Sequence, residues 1–285
     1  MQQTPDTPTL EHRLGRRARA VLPAAAREFA LFVLKQCWAA LFGGLMLAAL
    51  ILTRILWHPD WPVARYDALF LIALAIQAAF LRFRLETWAE ARVILAFHLT
   101  GTAMEWFKVQ AGSWSYPDPG VIVVLGVPLF SGFMYASVGS YIARVIRIFD
   151  MRFAPFPPLW AVWLLSAAIY ANFFTHHLIA DLRWPLILMT VALFARTRIS
   201  FRVAERDRQM PLPVAAFLSA LALWLAENIG TLTGTWVYGG HATAHWAGPA
   251  KLGAWYLLLY VAFGTVTAVI RPEPARPRHA TATLR

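Results

Sequence analysis

The chain has 285 residues, of which 59% are apolar and only 14% charged, and its mean hydropathy is +0.53. Soluble domains run about 45–50% apolar and about 25% charged, so a water-soluble globule is excluded. The formal charge of +11 would suit a nucleic-acid binder, but the basic residues flank apolar runs instead of forming one patch, so the excess reads as membrane orientation and no nucleic-acid partner is expected.

Residues 1–30 form a basic, polar segment. Its first 27 residues lack the short apolar stretch and small-residue cleavage site of a secretory signal, which leaves insertion to the first apolar run. A span needs roughly 20 mostly apolar residues. Eight such runs fall near 33–55, 66–82, 93–110, 122–143, 160–179, 184–200, 212–231 and 250–270. They predict an all-α, eight-span bundle over residues 31–270. The sixth run is the weakest, because its apolar core from Trp184 to Ala195 stops at Arg196 and Arg198, and a re-entrant or seven-span arrangement stays open there. Trp57, Trp61, Trp88, Trp114, Trp160, Trp184 and Trp246 lie near run ends, where indole anchors at the water boundary. Residues 271–285, with three prolines between arginines, read as a solvated basic tail.

Basic residues set the orientation. With eight crossings, the face that carries the N-terminus holds 21 Lys and Arg and the opposite face holds five, namely Arg54, Arg65, Lys108, Arg183 and Lys251. Cytoplasmic loops keep basic residues, so both termini are expected in the cytoplasm. A seven-span arrangement would export the Arg196–Arg208 cluster, which counts against it.

An internal repeat carries the polar residues. Glu105, Gly112, Trp114 and Tyr116 recur as Glu227, Gly234, Trp236 and Tyr238 at a constant offset, giving E-x6-G-x-W-x-Y twice, and Gly126 and Gly248 keep the same offset. Two tandem four-helix halves follow, about 33–143 and 160–270, and an even number of spans per half makes them parallel. Among the acidic residues only Glu105 and Glu227 fall within the runs away from their edges. A carboxylate at mid-helix costs about 2.5–3.5 kcal/mol on insertion scales, so such groups face a bundle interior or a wet cavity. Each sits roughly 18–22 Å from the cytoplasmic end of its helix at 1.5 Å per residue. His98, Thr102 and Glu105 share one helix face, Asn172 and His176 are one turn apart near the end of the fifth run, and Asn228 follows Glu227. These define an expected outer-leaflet pocket with Glu105, Glu227, His176, Asn172 and His98 as the chemical groups and Trp114, Tyr116, Asn228, Trp236 and Tyr238 binding substrate. The adjacent His176 and His177 point in different directions on a helix, and no metal site is expected. The lone Cys37 allows neither an intrachain disulfide nor a cysteine metal site.

No phosphate-binding G-x-x-x-x-G-K-[ST] loop, G-x-S-x-G elbow or H-E-x-x-H motif occurs, and no cofactor is expected. The stretches Gly101–Pro117, Gly126–Tyr141, Asn172–His177 and Ala226–Gly234 resemble the YoaT-like bacterial integral membrane proteins, a family designated domain of unknown function 817. That resemblance covers about residues 30–270 and implies a multi-pass protein of the bacterial inner membrane without an established activity. Glu227, Gly230 and Gly234 as E-x2-G-x3-G are also similar to a motif of membrane carotenoid hydratases and lycopene cyclases, which protonate polyenes with intramembrane acids. Glu105 has Lys108 where that motif has its first glycine. Three functions remain open at this level: an intramembrane enzyme acting on a lipophilic, isoprenoid-like substrate by carboxylate acid/base chemistry, a proton- or cation-coupled transporter, and a structural membrane factor in which the glutamates only fix packing.

Overall fold

The computed structural model describes Arg16 and residues 24–58, 60–175, 179–204, 207–239 and 246–270. Nine helices occur among the described residues: α1 Ala24–Ala39, α2 Leu41–Leu56, α3 Arg65–Arg82, α4 Trp88–Gln110, α5 Phe130–Ile148, α6 Leu159–Thr175, α7 Arg183–Phe194, α8 Leu212–Leu232 and α9 Pro249–Ile270. Short strands gather at the helix ends. β1 Trp114–Ser115 pairs antiparallel with β7 Val237–Tyr238, β2 Val123–Val124 pairs with β3 Val127–Pro128, and β4 Arg152–Ala154, β5 Arg198–Arg202 and β6 Asp207–Pro211 form an antiparallel sheet in that order.

Each apolar run contains a helix, and three of the runs bend or change to strand. The run over 33–55 is bent by 66° where α1 meets α2. The tethers lie just before the bend: Lys35 Nζ donates to the Arg202 carbonyl at 2.9 Å, and Gln36 accepts from the Tyr141 hydroxyl at 3.0 Å. The run over 122–143 opens with the β2–β3 hairpin, turning at Leu125 and Gly126, both at positive φ, and becomes helical only at Phe130. Asp67 fixes that approach, since its carboxylate accepts the Val121 and Ile122 amides at 2.7–3.0 Å. The run over 184–200 ends its helix at Phe194 and resumes as β5. Alternation explains the switch, because the exposed Arg198 lies between the buried Thr197 and Ile199.

Leu212–Leu232 and Pro249–Val269 are long and apolar enough to cross a membrane, and the bent α1–α2 pair qualifies if it is one span. The outer faces of other helices present large apolar side chains to their surroundings, including Ile55, Leu99 and Leu188 at 71%, 61% and 70% exposure. Such faces associate the protein with a lipid bilayer. Trp61, Trp88, Trp160, Trp184 and Trp246 are exposed at helix ends, as anchors require, whereas Trp114 turns inward.

Helices α4 and α5 pack through small residues, the pattern by which apolar helices approach closely when no hydrophobic drive separates helix from lipid. A Cβ on Gly101 would meet the Tyr135 ring, one on Gly132 would meet His98 and Thr102, and one on Gly139 would meet Phe97 and Val93. The core continues through Phe42, Met46 and Val138 to Leu257 and Val266 of α9.

A second constraint is polar. Arg65, 5% exposed at the start of α3, donates to Asp118 at 2.7 Å, Thr53 at 3.2 Å, the Leu50 carbonyl at 3.2 Å and Thr235 at 3.0 Å. Tyr66 adds a bond to the Thr235 carbonyl at 2.8 Å. The segments after α4 and after α8 are thereby held on one fork. Breaking a buried pair by removing one partner costs about 3–5 kcal/mol. Arg65→Met is therefore expected to lower the thermal midpoint of the detergent-solubilised protein sharply, while Arg65→Lys, lacking the planar fork, falls between the two; differential scanning fluorimetry reads both.

Candidate functional site

Helices α4 and α8 end in the same way. Gly112 and Gly234 adopt φ of +67° and +64°, a region open to glycine at little cost. Ser113 N donates to the Lys108 carbonyl at 2.9 Å and Thr235 N to the Gly230 carbonyl at 3.0 Å, closing each helix with a left-handed C-terminal turn. The chain then reverses into β1 or β7. Side chains two residues apart on an extended segment share a face, so Trp114 and Tyr116 look back toward α4 together, as Trp236 and Tyr238 look back toward α8. The spacing E-x6-G-x-W-x-Y thus describes a helix, a cap and a returning strand that delivers an indole N–H and a phenol O–H to the helix's own carboxylate.

The bonds follow that arrangement. Glu105, 4% exposed, accepts from Trp114 Nε1 at 2.7 Å and from the Tyr116 hydroxyl at 2.6 Å, both on Oε2. Tyr135 of α5 donates to Oε1 at 2.7 Å. Glu227 accepts from Trp236 Nε1 at 3.2 Å and from the Tyr238 hydroxyl, both on Oε1. An ionised carboxylate offers only acceptors, which suits three converging donors on Glu105. Burial first, and then the adjoining carboxylate, push the phenols of Tyr116 and Tyr238 up, so both stay neutral and donate. Glu105 is close to saturated, whereas Oε2 of Glu227 accepts no hydrogen bond among the described residues.

The two units interlock. Trp114 lies opposite Tyr238, and Ser115 opposite Val237, in the β1–β7 ladder. The Trp114 and Tyr238 rings meet edge to face at 5.9 Å, and Gly239 N donates to the Ser113 carbonyl at 2.9 Å. Gly230 serves packing, since a Cβ there would overlap the Trp236 ring. The E-x2-G-x3-G spelling around Glu227 is therefore accounted for by a ring seat and a helix cap. At the matching position Lys108 turns away, donating to the Phe173 carbonyl at 2.6 Å and lying 4.1 Å from that ring's centroid.

Both carboxylates line one end of a cavity of about 700 Å³ walled by α1, α2, α5, α8 and α9. Along α8 most lining residues, among them Leu212, Ala215, Ala216, Ser219, Ala222, Leu223, Ala226 and Glu227, fall on one face, and most of these are small, which is why space remains. From Leu212 to Glu227 the slot runs roughly 22 Å at 1.5 Å per residue. Its volume lies within the range of small-molecule sites. The remaining wall is apolar and aromatic, with Met134, Ile142, Trp255 and Phe263, and the polar end combines Glu105 and Glu227 with Trp114, Tyr116, Trp236, Tyr238 and Lys251. Lys251 Nζ sits 3.7 Å from the Tyr238 ring centroid and 5.6 Å from that of Trp114.

Other expected site residues stand elsewhere. Asn228, 1% exposed, donates to the Trp224 carbonyl and accepts the Ala247 amide at 2.7 Å each, so it ties α8 to the approach of α9 instead of lining the cavity. Asn172 donates to Asp181 at 3.1 Å and accepts the Leu182 amide at 2.8 Å, holding the entry to α7. His98 packs on Phe133 with ring centroids 4.4 Å apart, and its buried Nδ1 has no hydrogen-bond partner among the described residues. It is not part of the cavity wall because its face of α4 is covered by Gly132 of α5. His176 lies outside the described residues. Sequence reasoning missed Tyr135, whose position at the repeat offset is Leu257 and so shows no pairing signal, and Lys251, which counted only as a basic residue on the sparse face. No group of His, Cys, Asp and Glu suited to a metal ion occurs among the described residues.

Comparison with known proteins fits this geometry to a family. The profile described as "Protein of unknown function (DUF817)" matches residues 28–263, which include both glutamates and all five of their Trp and Tyr donors. The chain belongs to the DUF817 family. A fellow relative, the "Uncharacterized protein YoaT" of Bacillus subtilis (strain 168), is 38% identical over 257 residues, covering 90% of this chain and 97% of that one. Among solved structures, this DUF817 protein is similar to MvINS, an Insig homolog of Mycobacterium vanbaalenii, with a TM-score of 0.46 and 13% identity over 66% of this chain and 98% of that chain. A cross-linked trimer of MvINS gives a TM-score of 0.45 with the same identity and coverage.

The unequal saturation of the two carboxylates separates their roles experimentally. Glu105→Gln introduces amide donors among three existing ones and is expected to cost about 1–3 kcal/mol. Glu227→Gln, with one oxygen uncommitted, is expected to cost less than half as much. Thermal unfolding of the two variants in the same detergent measures the difference.

Proposed function

We propose that the protein is an intramembrane enzyme that takes a lipophilic, isoprenoid-like molecule into the apolar slot and moves a proton at it with Glu227. The observation that carries this reading is a carboxylate with one uncommitted oxygen at the end of a roughly 22 Å apolar cavity. Glu105 supplies a fixed negative charge, held by three donors, that favours positive charge developing nearby. The Trp236, Trp255 and Tyr135 rings that line the slot add the attraction of aromatic faces for a cation.

The chemistry balances without an external reductant or oxidant. Protonated Glu227 gives its proton to one carbon of a C=C bond, the adjacent carbon becomes cationic, and a neighbouring C–H returns a proton to the same carboxylate as the double bond re-forms one position along. Positioned acid/base catalysis of this kind contributes about 10²–10⁴-fold.

The topology that goes with this reading is eight crossings of the bacterial inner membrane in two parallel four-helix halves, both termini in the cytoplasm and the carboxylates in the outer leaflet. Helices within all eight apolar runs, and the same cap, strand and donor arrangement after α4 and α8, support it. The 21-to-five division of basic residues supports the orientation.

Comparison of extracted membrane lipids from wild type, a deletion strain and strains carrying Glu227→Gln or Glu105→Gln tests the function. The deletion and Glu227→Gln strains are expected to lose the same product, with a fall of at least 10²-fold in its formation, while Glu227→Gln protein persists in the membrane at wild-type level. An unchanged lipid profile in both overturns catalysis. Proton or cation flux in sealed proteoliposomes that disappears with Glu227→Gln would assign the pair to a carrier instead.

A further inference from the structure

A second, smaller pocket of about 140 Å³ adjoins the polar end of the slot, and the two share Trp114, Phe173, Lys251, Ala254 and Leu258 as walls. Three cations reach it: Lys108 from the last turn of α4, Arg183 from the first residue of α7 and Lys251 from the first turn of α9. No Asp or Glu lines it among the described residues. Lys108 is 1% exposed, and Lys251 and Arg183 act on it as like charges.

At α9 the placement runs against helix electrostatics. The N-terminus of a helix carries partial positive charge and favours acidic side chains or bound anions. Neither α7 nor α9 has an acid in its first turn, and each has a cation there. Arg183 Nη1 also donates to the Ala250 carbonyl at 2.8 Å, bringing the two N-termini together. Asp181 meets Arg183 at 3.1 Å and accepts its amide at 2.9 Å, and Glu227 acts on Lys251 from the slot side. The pocket combines an ammonium from α4, an ammonium from α9 and a guanidinium from α7, with Ser113 and Asn172 at its wall as neutral polar groups.

We propose that this pocket is an anion subsite for the phosphate head of an amphiphile whose hydrocarbon tail lies in the slot. The inference rests on the lipophilic-substrate reading above and names the substrate class as an isoprenoid phosphate ester. A phosphate dianion presents several strong acceptors to donors on different sides, which a lone carboxylate or hydroxyl does not, and guanidinium and ammonium groups are its common ligands. The shared wall at Trp114 and Lys251 places a head in the small pocket next to Glu227, so the first carbons of the tail pass the uncommitted oxygen.

Calorimetric titration of the full chain in phosphatidylcholine nanodiscs with farnesol, farnesyl phosphate and inorganic phosphate tests the proposal. Farnesyl phosphate is expected to bind at least tenfold more tightly than farnesol, with that gain reduced to less than twofold in Arg183→Gln and in Lys251→Met, and kept in Arg183→Lys. Farnesol binding without any gain from the phosphate overturns the subsite and leaves the lipophilic slot standing. Binding of neither farnesyl compound overturns the slot reading and the subsite with it. Inorganic phosphate binding as tightly as the ester overturns the amphiphile, since the pocket would then serve a free anion. Persistence of the full gain in both charge-removing variants also overturns the proposal. Should Arg183→Gln fail to fold, judged by its unfolding curve, Lys251→Met and the charge-keeping Arg183→Lys carry the comparison.

Discussion

A charged carboxylate set into an apolar helix has to be given donors, and the way this chain gives them shapes everything around the site. Each donor pair comes from residues immediately after the same helix, which requires a glycine at positive φ to turn the chain and an extended return to aim two side chains at one target. Indole and phenol are suited to this task because each brings one donor on a large apolar body that is at home beside lipid. A lysine partner would have brought an opposite charge; these groups satisfy the carboxylate oxygens without adding one.

The same requirement explains why these loops are tied down by polar contacts. The fork of Arg65 binds Asp118 beyond β1 and Thr235 before β7, and Asp67 fixes the turn that leads into α5. These contacts lie at the donor end, where a shift of an ångström would release Trp114 or Tyr238 from its carboxylate. At the other end, Glu28 takes both forks of Arg208 at 2.6–2.7 Å, and the β4–β5–β6 sheet leads through Pro211 directly into α8, so the helix that carries Glu227 starts from a braced position.

Much of this was legible in the sequence because it repeats or contrasts with its surroundings. Eight apolar runs each hold a helix, and E-x6-G-x-W-x-Y at one offset picked out the two glutamates, their glycine turns and four of their five donors. What escaped notice depends on tertiary partners. Tyr135 reaches Glu105 from 30 residues away, Asn228 spends its polar groups on backbone that its neighbours in sequence do not reveal, and the bend after α1 follows from bonds to β5 and α5. The strand at 198–202 was hidden because a short apolar helix and a half-buried strand both begin as apolar runs, and only the alternation past Thr197 separates them. The five basic residues on the sparse face were informative in a way that their number concealed: Arg65 became a clamp, and Lys108, Arg183 and Lys251 drew together.

The ladder between β1 and β7 also limits how the molecule can move. Alternating access by rocking would have to pull the segment after α4 away from the segment after α8, breaking backbone bonds such as Gly239 to Ser113 in each cycle. On the proposed lipophilic-substrate reading, a clasp of that kind suits a chamber loaded sideways, in which cargo first dissolves in the bilayer and then diffuses laterally between helices, so that partition into lipid screens candidates before any side chain of the protein touches them.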